Sequence, residues 1–243
     1  MSEVRELVGD SAPVTSSRVL LEANGVAKSY GRTPALRGID VSVVPGEVLA
    51  IMGPSGSGKS TLLHCLAGVI APDEGTVTYD GTVISDLSEA ERSRLRLTEF
   101  GFVFQFGQLL PELTAADNVT IPLLLSGVKR TKALRTAEEW LDRLGLADVR
   151  GQLAGELSGG QAQRVAIARA LATKPKLVFA DEPTGALDSL SAENVMTLLL
   201  ELVRETGTTV VLITHDTRTA AFADREVIVR DGLTSNGERK PVR

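Results

Sequence analysis

Unbroken apolar runs and amphipathic stretches alternate along most of this chain. Between residues 19 and 51 the runs are short and broken by turns. Pro45-Gly46-Glu47 is one such turn, and Glu47-Val48-Leu49-Ala50-Ile51-Met52 is an apolar strand. Helical spacing follows over 59–70. Gly75-Thr76-Val77-Thr78-Tyr79, followed by Asp80-Gly81, predicts a strand and a tight turn. Residues 88–97 predict a charged helix and 100–105 a strand. The rhythm then changes. Residues 115–125, 131–144 and 160–172 are helical with almost no strand pattern between them, so an inserted helical subdomain is expected over 106–172. Alternation resumes with Leu177-Val178-Phe179-Ala180, a helix over 189–205, and strands over 208–213 and 226–230. Such continuous apolar runs belong to strands covered on both faces by helices. One domain is expected over 19–234, with a disordered leader at 1–18 and a loose polar tail at 235–243.

Composition narrows the class. With 243 residues, 43% of them hydrophobic, the chain can bury a sizeable core. A net charge of −5 and a pI near 5.2 argue against a general nucleic-acid binder. No apolar run approaches the roughly 18–20 residues that span a bilayer, and the N-terminus lacks the apolar stretch of a signal peptide. The single cysteine, Cys65, excludes an intramolecular disulfide and fits a reducing compartment. A cytosolic protein is expected, with any membrane role exercised through a partner.

The chemistry concentrates at strand ends. Gly53-Pro54-Ser55-Gly56-Ser57-Gly58-Lys59-Ser60-Thr61 matches the phosphate-binding pattern G-x-x-x-x-G-K-[ST] between a strand and a helix. Its glycines let successive N–H groups face a phosphate chain. Lys59 reaches the outer phosphates, and Ser60 offers a hydroxyl to Mg²⁺. A glycine-rich turn with an incidental lysine would lack the flanking strand and helix. The apolar run 177–180 ends in Asp181-Glu182, at the strand end where α/β sheets bind ligands. Asp181 suits the Mg²⁺ shell, and Glu182 is placed to polarise an attacking water. His215, after the 208–213 strand, can donate to phosphate or hold that water, and Gln105, after the 100–104 run, is a neutral metal ligand or water positioner. Each of the two would be an ordinary polar residue without the phosphate loop.

A second bare backbone stretch, Leu157-Ser158-Gly159-Gly160-Gln161, opens a helix, whose first N–H groups suit an anion. His64 and Cys65 read as packing residues and Trp140 as subdomain core. Arg92-Ser93-Arg94-Leu95-Arg96 reads as a solvated helix face.

Together these residues resemble the nucleotide-binding domain of ABC transporters, over about 19–234. In that likeness Tyr30 is the aromatic that stacks on adenine, Gly53 to Thr61 the Walker A loop and Gln105 the Q-loop. Leu157 to Gln161 is the family signature. Asp181 and Glu182 are Walker B and its glutamate, Asp188 closes the D-loop, and His215 is the switch histidine. The resemblance implies an α/β fold: a P-loop NTPase core with a mostly parallel sheet, an N-terminal antiparallel β subdomain and the inserted helical subdomain. It implies ATP and Mg²⁺, and a head-to-tail dimer in which Ser158, Gly159 and Gly160 meet the γ-phosphate on the partner's Walker A. A separate integral membrane permease is implied as well, holding the chain at the cytoplasmic face of the plasma membrane, and no nucleic acid. The 100–119 and 180–188 segments are similar to the subgroup serving macrolide exporters, lipoprotein release and antimicrobial-peptide resistance, with FtsX-like permeases. Ala162 departs from the usual polar residue, and Leu153-Ala154-Gly155-Glu156 lacks the proline often found there. An importer ATPase, a soluble non-transport ABC ATPase and a non-hydrolytic module stand as alternatives.

Overall fold

The computed structural model describes residues 18–235. The expected leader, apart from Arg18, and the expected tail beyond Ser235 lie outside the described residues. In chain order the elements are β1 (Leu21–Tyr30), β2 (Thr33–Val43), β3 (Val48–Met52), α1 (Lys59–Leu66), β4 (Glu74–Tyr79), β5 (Thr82–Val83), α2 (Glu89–Thr98) and β6 (Phe100–Phe104). Then come α3 (Ala115–Leu125), α4 (Arg130–Arg143), α5 (Gly159–Leu171), β7 (Leu177–Asp181), α6 (Ser189–Thr206), β8 (Thr209–Ile213), α7 (Thr217–Ala220), β9 (Arg225–Arg230) and β10 (Leu233–Ser235).

Two sheets result. The smaller is antiparallel, in the order β2-β1-β4-β5. The larger runs β10-β9-β3-β8-β7-β6 and is parallel from β9 to β6, with β10 antiparallel at its edge. Successive residues of a strand point to opposite faces, and here both faces are covered. Val48, Ala50, Val178, Ala180, Val210 and Leu212 enter one core with α3 to α6. Leu49, Ile51, Leu177, Phe179, Val211 and Ile213 enter the other with α1 and the antiparallel sheet. That double burial is why these strands lack polar alternation. Phe179 stacks on Phe102 at 5.7 Å and meets Phe100 edge-on at 5.3 Å. At Gly101 an added Cβ would stand 2.6 Å from the Ala170 carbonyl, so α5 lies directly on β6.

Several expectations shift. The helix predicted over 59–70 stops at Leu66. Gly68, at φ +62°, turns the chain, its N–H donates to Cys65 O, and Val69 N donates to His64 O at 2.8 Å. This is a Schellman ending. The short β5, α7 and β10 carried too few residues for a pattern to show. The arginine cluster is not a uniformly solvated face. Arg94 is exposed, but the Arg92 and Arg96 side chains are only 15% and 19% exposed, and both pair with Glu89. Arg92 also donates to Leu87 O at 2.7 Å, and Arg96 to Gly68 O. Arg96 first, then Arg92 and Ser93, hold the Glu89 carboxyl down at about 2. Trp140 is buried as expected, with the Arg143 guanidinium 4.6 Å from its ring centre. Cys65 is buried and its thiol is pushed up to about 11 by that burial, whereas His64 is only half-buried.

Candidate functional site

The loop between β3 and α1 is shaped by two glycines that nothing else could replace. At Gly53 (φ +151°) a Cβ would stand 2.0 Å from Val229 O, and at Gly58 (φ +105°) 2.4 Å from Ala35 O. The loop is thus pressed against β9 on one side and β2 on the other. Gly232 N donates to Ser57 O at 3.1 Å and pins it again. Ser57 Oγ is buried without a hydrogen-bond partner. Lys59 is largely buried, and its ammonium donates to the Gly53 and Pro54 carbonyls, each at 2.9 Å. Its positive charge therefore hangs over the loop that the sequence pattern assigns to phosphate.

Sheet register brings the remaining groups to one edge. Asp181, the last residue of β7, pairs with Phe104 of β6 and Ile213 of β8. The residues that follow, Gln105, Glu182 and Thr214-His215, therefore leave the sheet together at its carboxyl end. Burial pushes the Asp181 carboxyl up from its ordinary value. A hydrogen bond from Ser60 opposes the rise, Glu182 adds to it, and His64 and Lys59 act against it. Glu182 sits at φ +47°, a left-handed conformation uncommon outside glycine. Its N–H donates to Ile213 O at 2.9 Å, and its Oε1 lies 2.7 Å from His215 Nδ1.

Gln105 opens a loop with three left-handed residues in a row, Phe106, Gly107 and Gln108. The loop is strapped to α5. Gln163 Nε2 donates to Phe104 O at 3.1 Å, and the Arg169 guanidinium donates to Gly107 O and Gln108 O at 2.8 and 2.9 Å. Burial lowers the Arg169 pKa. Farther along, the fully buried Asn118 side chain bonds both the N–H and the carbonyl of Leu110. Neither Gln163 nor Arg169 belongs to a motif named from sequence. The available clue was a polar Gln163 on a helix whose neighbours Val165, Ala166 and Ile167 are core residues.

A cleft of about 630 Å³ gathers most of the expected residues: Tyr30, the phosphate-loop residues Pro54, Ser55, Gly56, Gly58, Lys59, Ser60 and Thr61, and then Gln105, Asp181, Glu182 and His215. Tyr30 is 55% exposed at its rim. Gly53 and Ser57 lie behind this lining. Ser158, Gly159, Gly160, Gln161 and Asp188 do not reach it. Ser158 and Gln161 form a capping box at the start of α5, with Ser158 N donating to Gln161 Oε1 at 2.9 Å. Asp188 caps α6 by accepting from Leu190 N and Ser191 N, and the Ser191 bonds lower its pKa. The two segments adjoin: a Cβ on Gly159 would stand 3.3 Å from the Leu187 side chain. Within one chain they form a second, separate face. Among the described residues, no group of His, Cys, Asp and Glu clusters as a metal cage, and no helix is long and apolar enough to cross a membrane.

The chain is similar to known proteins along most of its length. The family described as "ABC transporter" matches residues 36–185. The lipoprotein-releasing system ATP-binding protein LolD of Shewanella frigidimarina is 46% identical over 222 residues, 90% of this chain and 93% of that protein. LolD 2 of Rhodopirellula baltica is 48% identical over 229 residues, 90% of each chain. The dimeric post-hydrolysis structure of the ATP-binding cassette MJ0796, bound to ADP and Pi, superposes with a TM-score of 0.85 at 39% identity, covering 92% of this chain and all of that one. A family match over 36–185 and relatives alike along nearly their whole length place the chain in the ABC transporter family as an ATP-hydrolysing subunit.

Proposed function

We propose that this chain powers a lipoprotein-releasing type of exporter. It binds Mg·ATP, pairs head to tail with a second copy, hydrolyses the γ-phosphate and drives a separate FtsX-like membrane permease from the cytoplasmic face. The observation that carries this reading is its likeness to LolD proteins along about nine-tenths of both chains. The dimeric form of the MJ0796 cassette supports the pairing.

The chemistry follows from the cleft. Loop N–H groups and Lys59 neutralise the β- and γ-phosphates, and Tyr30 at the rim offers a face to the base. Ser60, Asp181 and Gln105 line one cleft and offer it a hydroxyl, a carboxylate and an amide carbonyl. Hard oxygen donors fit Mg²⁺, and the desolvated Asp181 carboxyl gains from a cation beside it. Bound there, Mg²⁺ would supply charge neutralisation for the phosphates. Glu182 takes the proton of the attacking water, and His215 holds Glu182 and that water in line. The second face, Ser158 to Gln161 with Asp188, closes on the partner's nucleotide, so each site needs both chains. Segment 105–118, at the boundary between sheet and helices, receives the permease.

Affinity purification of the tagged chain from membranes tests this reading. A co-purifying integral permease and phosphate release that depends on it are expected. Co-purification with nucleic acid in place of a permease would overturn the transport assignment.

A further inference from the structure

Behind the cleft, two buried hydroxyls and a carboxylate form a directed relay. Thr184 and Thr219 are 8% and 3% exposed, and their Oγ1 atoms are 3.2 Å apart. Thr219 Oγ1 also donates to Asp216 Oδ2 at 3.2 Å. A hydroxyl has a single proton to give. With that of Thr219 on the carboxylate, the hydroxyl of Thr184 must donate to Thr219. Asp216 is otherwise engaged: Oδ1 accepts from Arg218 N at 3.0 Å, and its own N–H donates to Thr214 Oγ1 at 3.1 Å.

The relay joins two segments that matter. Thr184 follows Glu182 by two residues, and Asp216 follows His215 directly. Glu182 and His215 are therefore linked twice, in front by their own side chains at 2.7 Å and behind through Thr184, Thr219 and Asp216. Glu182 holds a left-handed backbone, which persists only where the surroundings over-determine it.

We propose that Thr219, acting with Thr184, is a positioning residue for hydrolysis: the relay sets the spacing between the Glu182 and His215 segments and keeps the two side chains in contact. Valine has nearly the volume of threonine. In its place the buried Thr184 hydroxyl would lose its partner while the exposed Asp216 carboxylate turns to water, and the segments would be free to slip. The proposal rests on the roles given above to Glu182 and His215.

Steady-state phosphate release by the full chain, titrated with ATP, tests it. Thr219→Val is expected to lower kcat about tenfold with KM held within about twofold, because misplacement of reacting groups acts on the chemical step. Thr219→Ser keeps the hydroxyl and is expected to restore kcat. Thr184→Val breaks the same relay from its other end, and serves if Thr219→Val does not fold. The double variant is expected to be no slower than the slower single one. Near-normal kcat in Thr219→Val, no rescue by serine, or losses that multiply in the double variant would each overturn the relay. Glu182→Gln, assayed alongside, separates the two readings. If it retains turnover, the assignment of Glu182 fails. If it loses turnover while Thr219→Val does not, the relay alone fails.

Discussion

Glu182 Oε1 stands 2.7 Å from His215 Nδ1, yet the two side chains differ sharply in exposure, at 19% and 68%. The carboxylate is sheltered at the end of β7 while the imidazole reaches it from open solvent. The carboxylate is therefore the sheltered member of the pair and the histidine the solvated one. Glu182→Gln is expected to keep ATP affinity, lose at least about a hundredfold in turnover, and accumulate an ATP-bound dimer. Phosphate release with size-exclusion chromatography in ATP checks both parts, and turnover near the parental level would refute the general-base role.

Ser158 tests the second face. It caps α5 outside the lining of the cleft that holds Lys59. Ser158→Arg is expected to abolish hydrolysis while the monomer still binds ATP with unchanged affinity. Equal loss of monomer binding, read by fluorescent-nucleotide titration, would argue that the segment acts within its own chain.

Gln163→Met removes the donor to Phe104 O while keeping the length of the side chain. If Gln105 lies near Mg²⁺, loosening its support shifts the metal dependence, and the half-saturating Mg²⁺ concentration is expected to rise about tenfold. Faster amide exchange over 104–108 in the same variant would locate the cause. An unchanged Mg²⁺ titration would leave Gln163 a packing residue.

Two glycines separate backbone strain from collision. Gly46 has φ +76° and open space around its missing Cβ, whereas at Gly53 a Cβ would stand 2.0 Å from Val229 O. Gly46→Ala is expected to cost about 1 kcal/mol, the strain of a left-handed residue. Gly53→Ala is expected to cost several times more and to lose nucleotide binding. Urea denaturation of both proteins makes the comparison.

Glu89 gives a pH signature. Its carboxyl falls from 4.5 to about 2 because Arg96, Arg92 and Ser93 all favour the charged form. A lowered carboxylate pKa stabilises the fold above the unfolded value, and that contribution is lost as the pH falls from about 4.5 toward 2. The difference in Tm between the parent and Glu89→Gln is expected to shrink over that window and to stay constant above pH 6.

The residues that touch nucleotide in the proposed reading were legible because their chemistry is local. A glycine-rich loop between strand and helix, and Asp181-Glu182 at the end of an apolar run, carry their context within a few neighbouring positions. What escaped depends on contacts between distant segments. Arg92 and Arg96 look solvated until α2 folds over Gly68, and α1 looks longer until Gly68 turns the chain. Gln163 meets Phe104, and Thr184 meets Thr219, only after the sheet has assembled. A threonine in a polar stretch announces no partner, so Thr219 had no distinguishing mark.

The strand order carries one more consequence, for synthesis. β3, which leads into the phosphate loop, lies between β8 and β9, both made near the end of the chain. Gly53 rests against Val229, and Ser57 accepts from Gly232. A nascent chain that has emerged only as far as α6 therefore has the whole phosphate-binding motif and neither of the strands that brace it. Pairings so distant in sequence form slowly, which makes ATP a late ligand, one that recognises finished subunits and leaves growing ones alone.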